Sequence, residues 1–150
     1  MHRWVVALFA AFISISATAG AWGDGSFDND DALDWVDRCT KRGSSKLVAA
    51  TLNKAFGSGE IESADGSAVV VAAEVVAAAK GNPSPQLPPD LRSWLERQAK
   101  GELAQLSQIA RRALVRVKNS KTSELAQLWE EGKTNRWTQR IAELEERLAK

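Results

Sequence analysis

The chain has 150 residues, a net charge of +1 and a single histidine. That length suffices for one compact domain, and the even charge balance argues against nucleic acid or an anionic membrane as the partner. His2 lies in a leader that we expect to be removed, so the rest of the chain cannot use histidine-dependent triads or build an ordinary zinc site.

Residues 1–19 have the pattern of a cleavable signal peptide. A basic opening precedes the apolar run from Trp4 to Ile15, and Ala17-Thr18-Ala19 is the small-x-small sequence that signal peptidase accepts. A membrane anchor is the alternative, but a spanning helix needs about 20 apolar residues and this run is shorter. We therefore expect a periplasmic or secreted protein, with residues 20–150 as one domain and no stable membrane insertion after cleavage.

The expected mature chain opens with an aspartate-rich arm that contains three glycines and two large aromatic residues. Its glycines predict a tight, irregular backbone, and its aromatic side chains are expected to pack into the domain. Ligand binding by the arm is the alternative, and the candidate binding residues are Trp22, Phe27, Asp28, Asp30 and Asp31. The aspartates do not have the spacing of an EF-hand loop, so we predict no metal and no cofactor.

Two helices follow the arm. The first is predicted from about Asn29 to Lys41, and it places Cys39 on its apolar face. Core packing of this thiol is the favoured interpretation, and an intermolecular disulfide is the alternative. The second helix is predicted to begin after Ser44 or Ser45 and to end at Gly57.

The segment from Ala68 to Ala79 consists of alanine and valine apart from Glu74. Its length and alanine content favour a helix over a buried strand, and its apolar surface predicts a central position. Glu74 must then find a partner, for which an arginine, the Trp22 indole and backbone amides are the candidates. We interpret Glu74 as a structural anchor; Glu74 and Asp28 are the weak catalytic candidates of the alternative interpretation.

All four prolines lie between Asn82 and Pro89, which predicts an extended connection before a helix that begins at Pro89. Gly101 is predicted to interrupt that helix, and an amphipathic helix follows from Leu103 to Val117. A further short helix is predicted to end at Gly132.

Charged residues mark the C-terminal half. A cluster without acidic residues is predicted to be solvated or to pair with the acidic first helix; it comprises Arg111, Arg112, Arg116, Lys118 and Lys121. Thr134 is predicted to cap a last helix, on which Glu143 and Arg147 have the spacing of an ion pair. The whole pattern predicts an all-α bundle or orthogonal array of about six to seven helices.

Several motifs point to a known family. They are Gly20-Ala21-Trp22-Gly23-x-Gly25-x-Phe27-Asp28-Asn29-Asp30, Ala32-Leu33-Asp34-Trp35, Ala73-Glu74-Val75-Val76-Ala77, Leu87-Pro88 before Leu91, Trp94 and Leu95, and Ser123-Glu124-Leu125 with Leu128-Trp129. In these motifs the chain resembles the bacterial domain-of-unknown-function family 4259. The resemblance implies a helical domain over residues 20–150 and brings no catalytic residue. Members usually carry the opening motif directly after the initiator Met, so its place here agrees with cleavage before Gly20.

Two functions remain as hypotheses. The first is non-enzymatic binding of another protein, and its sharper form is an inhibitor or immunity protein against an envelope-targeted toxin. The alternative is an envelope hydrolase that uses carboxylates. A cleft with two carboxyl groups would favour the hydrolase, whereas an exposed apolar or charged patch would favour the binding protein.

Overall fold

The computed structural model describes residues 23–132 and 136–150, and these residues form an all-α fold. The predicted fold class is confirmed, although the described residues contain eight α-helices where we predicted about six to seven. Ile61 and Ser123 make an isolated parallel bridge. The helices are α1 (Asp30–Arg42), α2 (Ser45–Asn53), α3 (Ser63–Ala79), α4 (Pro89–Glu96), α5 (Lys100–Ala104), α6 (Ser107–Val117), α7 (Glu124–Glu131) and α8 (Arg136–Ala149), with a 3₁₀ turn at Lys54–Phe56.

Three sequence predictions fall on residues outside the described ranges. These are the signal peptide at 1–19, the position of Trp22 and the cap at Thr134. Within the described ranges, no helix is both long and apolar enough to cross a membrane.

Helix α3 is the central element of the fold. Every residue from Gly66 to Ala78 is buried, and α3 contacts α1, α2, α5, α6, α7 and α8. An apolar surface on all sides can be shielded from water only when neighbours surround the helix, which is why the predicted central position is confirmed.

The two ends of α3 are fixed by different contacts. At the start, the backbone N–H of Ser63 donates to Glu124 Oε2 at 2.9 Å, so α3 begins before the predicted Ala68. At the end, Asn82 N–H donates to the Ala77 carbonyl at 3.0 Å, and Gly81 has a φ of +92°. This left-handed glycine completes a Schellman motif and directs the chain out of the helix.

Helix α1 begins and packs as predicted. The Asn29 side chain caps it by accepting the Ala32 N–H at 2.8 Å. Cys39 is fully buried, which confirms the core interpretation, and burial raises the pKa of its thiol to about 12.

The predicted break at Gly101 is wrong. Gly101 lies inside α5, and the chain leaves the helical conformation before it, at Ala99 with a ψ of 91°. A second break at Leu106 separates α5 from α6. Both Leu95 and Leu103 are buried, and turning the chain between them lets each reach the core.

Of the two interpretations of the basic cluster, pairing with acidic α1 is wrong. Arg111, Arg112, Lys118 and Lys121 are exposed, as the solvated interpretation expects, and Arg116 is half-buried. Helix α1 packs against α3 and α4, whereas α6 packs against α2, α3 and α8, so the central helix separates the two charged elements. Among the described residues, no ion pair joins them: Asp37 pairs with Lys41, and Lys118 pairs with Glu145, both at 2.8 Å.

Candidate functional site

The loop from Gly23 to Asn29 folds around the carboxylate of Asp28. Asp28 Oδ2 accepts the Gly25 N–H at 2.9 Å, and the Gly25 carbonyl accepts the Asp28 N–H at 3.2 Å. A Cβ atom on Gly25 would lie 2.5 Å from Oδ2, and one on Gly23 would lie 2.8 Å from the same atom. Two glycines of the opening arm therefore let the backbone approach this carboxylate.

Glu74 anchors the same loop to two helices. Arg147 holds its carboxylate with two N–H groups, from Nη1 to Oε2 at 2.7 Å and from Nη2 to Oε1 at 3.0 Å. The Ser26 hydroxyl donates to Oε1 at 2.6 Å. Only 3% of the Glu74 side chain is exposed, so this bidentate pair supplies the compensation that a buried charge requires. Of the three partners suggested by the sequence, the structure places an arginine on Glu74.

Arg147 also fixes the chain that leaves α3. Its Nη1 donates to the Asn82 carbonyl at 3.3 Å, while Asn82 Nδ2 donates to the Arg147 carbonyl at 3.1 Å. The predicted pair of Arg147 with Glu143 is wrong, because Glu143 binds Arg140 at 3.2 Å instead. An exposed i,i+4 pair contributes a few tenths of a kcal/mol, which is less than a buried carboxylate loses without its counter-charge.

A cleft of about 210 Å³ opens between the loop, the proline-rich connection and α8. Both catalytic candidates of the sequence, Glu74 and Asp28, line it together with Glu143. The full lining is Gly25, Ser26, Phe27, Asp28, Glu74, Ser84, Pro85, Gln86, Arg140, Glu143 and Arg147.

The candidate binding residues lie in different places. Phe27 belongs to the core, as the packing interpretation expects, and both Phe27 and Asp28 line the cleft. Asp30 and Asp31 are exposed on the first turn of α1. Trp22 lies outside the described residues.

Sequence reasoning did not assign four charged or hydroxyl residues of the cleft to a site; they are Ser26, Arg140, Glu143 and Arg147. A usable signal existed for α8, since Arg140, Glu143 and Arg147 have the i, i+3, i+7 spacing of one helix face. Nothing local marks Ser26, whose partner is distant in sequence.

Every carboxylate that lines the cleft is already bound by a donor of the protein. Arg147 and Ser26 bind Glu74, the Gly25 N–H binds Asp28, and Arg140 binds Glu143 and also Asp24, the latter at 3.4 Å. In the part of the chain that the structure describes, no group of three or more histidine, cysteine, aspartate or glutamate side chains is arranged to hold a metal ion. The side chains of the cleft therefore hold one another in place.

Comparison with known families identifies the relatives of this chain. A model of the family described as a domain of unknown function, DUF4259, matches residues 20–140. The chain belongs to this family. The DUF4259 match includes the N-terminal loop, Glu74 and Arg140, and it ends before Glu143 and Arg147. No curated protein and no solved structure matches the chain.

Proposed function

We propose that this DUF4259 member is an exported protein that acts by binding another protein at the cleft beside its N-terminal loop. The observation that carries the proposal is the state of the carboxylates. Both oxygens of Glu74 accept hydrogen bonds from one guanidinium group, which leaves neither placed to exchange a proton with a substrate. A rigid cleft surface whose carboxylates are already hydrogen-bonded is better suited to recognising a partner than to acid–base chemistry.

The size and charge of the cleft favour a segment of a macromolecule as its occupant. Its volume of about 210 Å³ is below the roughly 300–1,000 Å³ of pockets that enclose a small ligand. It would accommodate a side chain that projects from a larger partner. Three carboxylates face two guanidinium groups, so a partner side chain with a positive charge or a hydrogen-bond donor fits best.

The leader sequence gives the binding hypothesis its sharper form. An exported protein meets partners in the periplasm or outside the cell, where toxins directed at the envelope also act. We therefore propose an inhibitor or immunity protein whose cleft engages such a toxin. Co-expression of the captured partner with and without this protein would test that form, since the protein should restore growth.

Capture from the native cell envelope tests the binding proposal. The full chain carries a C-terminal tag, is crosslinked in the envelope, and its partners are identified by mass spectrometry. Gln86 lines the cleft and is exposed, so Gln86→Trp would obstruct it without disturbing the core. The matched control is Gln105→Trp, at an exposed site outside the cleft. We expect one stoichiometric partner that Gln86→Trp loses and Gln105→Trp retains; retention by both variants would contradict the cleft as the site.

One observation favours the alternative, an envelope hydrolase. Glu74, Asp28 and Glu143 line one cleft, and glycoside hydrolysis needs two carboxyl groups across a cleft. A screen of the exported protein against cell-wall saccharides and peptides tests this function. Activity that Glu74→Gln abolishes without changing the melting temperature would favour the hydrolase over the binding protein.

A further inference from the structure

A second surface, separate from the cleft, combines exposed apolar and basic side chains. It consists of Phe56 in the 3₁₀ turn and of Arg111, Arg112 and Val115 on α6, and we call it the basic face. Phe56 is 36% exposed and Val115 is 54% exposed. Among the described residues, only Leu128 is also a large hydrophobic residue with such exposure. None of the four residues of the basic face lines the cleft.

The two arginines of the basic face have no counter-charge in the structure. All 19 acidic side chains of the chain lie in the described ranges, and none approaches Arg111 or Arg112 within 4.0 Å. The Arg112 guanidinium lies over the Phe56 ring, 5.4 Å from its centroid. A guanidinium group held over an aromatic face can still donate its N–H groups to a carboxylate.

The basic face is preformed. Helix α6 is fixed by its buried side, through Ala110, Ala113, Leu114 and Val117, while Arg116 Nε donates to the Ala55 carbonyl and ties the 3₁₀ turn to α6. Its apolar and charged side chains are neighbours, because residues three and four apart meet on a helix surface. Binding would therefore require little reordering of backbone.

We infer that the basic face binds an acidic, amphipathic segment of a partner protein. Its composition determines the chemistry of the partner: an apolar side chain to cover Phe56 and Val115, and carboxylates to pair with Arg111 and Arg112. Arginine beside an aromatic residue is the composition in which binding energy concentrates at protein interfaces. Arg38 and Arg42 on α1 have no ion pair either, but no exposed large hydrophobic residue accompanies them on that helix.

The number of unpaired basic residues also favours a peptide segment over a membrane or a nucleic acid as the partner. Electrostatic attachment to a membrane uses clusters of about four to eight basic residues, and nucleic-acid interfaces are strongly basic. This face offers two unpaired arginines on a chain with a net charge of +1. Two carboxylates spaced along one peptide segment match that number.

Selection from a displayed library of random peptides tests the inference, with the exported full chain as the immobilised target. We expect the enriched peptides to carry carboxylates around an aromatic or aliphatic residue. Arg111→Glu combined with Arg112→Glu should weaken their binding at least about tenfold, and Val115→Ser should weaken it without reversing a charge. The matched control, Arg38→Glu with Arg42→Glu, should leave binding unchanged, as should Gln86→Trp in the cleft.

Three results would overturn the inference. In the first, the enriched peptides carry no acidic residues. In the second, the α1 control loses as much peptide binding as the variant with both arginines replaced. In the third, the protein binds no peptide but binds phosphatidylglycerol vesicles or duplex DNA, and that binding depends on Arg111 and Arg112. Circular dichroism of each variant excludes unfolding as the cause of any loss. The cleft variant separates this inference from the proposed function, because the two surfaces share no residue.

Discussion

Glu74 shows how one buried charge can hold a loop and two helices together. Replacing it by glutamine removes the negative charge that Arg147 and Ser26 bind, and an amide cannot accept from the guanidinium group with both of its terminal atoms. We expect Glu74→Gln to lower the free energy of unfolding by about 1.5–3 kcal/mol, measured by urea denaturation. Glu143→Gln is the control, because Glu143 is 58% exposed, and it should change stability by less than about 0.5 kcal/mol. Equal midpoints for the two variants would contradict the anchor role.

The need of Glu74 for a partner could be predicted from its place in an apolar segment, but the identity of the partner could not. Arg147 is separated from Glu74 by 73 positions, and Ser26 by 48. Only the folded arrangement of the loop, α3 and α8 brings these groups together. The local spacing instead predicted a pair of Arg147 with Glu143. A sequence pattern indicates which residues are neighbours on one helix, but it does not indicate contacts between different helices.

A substitution at Gly25 tests how closely the loop backbone approaches the Asp28 carboxylate. Gly25→Ala would place a Cβ 2.5 Å from Oδ2, so Asp28 must move and its hydrogen bond to the Gly25 N–H must weaken. We expect a loss of about 1 kcal/mol in thermal or urea unfolding. Gly101→Ala is the matched control, since its Cβ meets nothing within 4 Å inside α5, and it should stabilise the protein by up to about 1 kcal/mol. If Gly25→Ala and Gly101→Ala changed the free energy of unfolding in the same direction, this interpretation would be contradicted.

Cys39 reports on the core through its reactivity. Burial raises the pKa of its thiol to about 12 from the ordinary 9.0, so the folded thiol stays protonated at pH 8 and should resist alkylation until the protein is unfolded in urea. Above pH 9 the unfolded thiol ionises while the folded thiol does not, so stability should fall as pH rises from 9 towards 12. In a Cys39→Ala variant, the part of the stability loss at alkaline pH that comes from the thiol should be absent. Rapid labelling of the native protein would contradict the burial of Cys39.

At the scale of the element, α3 depends on small side chains because neighbours surround it. Ala77 is fully buried, so Ala77→Leu would overpack the interior, and we expect a loss of about 1–3 kcal/mol in urea denaturation. Ala64 is exposed near the start of the same helix, so Ala64→Leu should be nearly neutral. Similar losses from both substitutions would mean that helix propensity, and not packing, sets the effect.

Helix boundaries were harder to predict than helix existence. The sequence started α3 at Ala68, but Glu124 accepts from the Ser63 N–H and extends the helix at its start. It placed a break at Gly101, but the chain turns at Ala99 and again at Leu106. By contrast, two helix starts that depend on local residues were predicted correctly: α1 begins within one residue of the predicted Asn29, and α4 begins at Pro89. Local rules succeed where the partner atoms are within a turn of each other.

At the scale of the whole molecule, the arrangement of helices decides which charges meet. Composition indicated that acidic α1 could neutralise basic α6, and their charges would indeed balance. Helix α3 separates the two instead, which leaves Arg111 and Arg112 beside exposed apolar side chains. The order of helices in space does not follow from the charge on each helix, and so the basic face could not be predicted from the sequence.

The domain and the expected mature chain share their starting point, and this leads to a prediction about processing. The family match begins at residue 20, directly after the predicted cleavage sequence Ala17-Thr18-Ala19. We expect N-terminal sequencing of the exported protein to return Gly20-Ala21-Trp22. Ala19→Leu should block cleavage by placing a large residue where the peptidase accepts a small one, whereas Ala10→Leu, inside the apolar run, should be processed normally. An intact Met1 in the membrane fraction of the unmodified protein would instead establish the apolar run as an anchor, and would place both proposed binding surfaces beside a membrane.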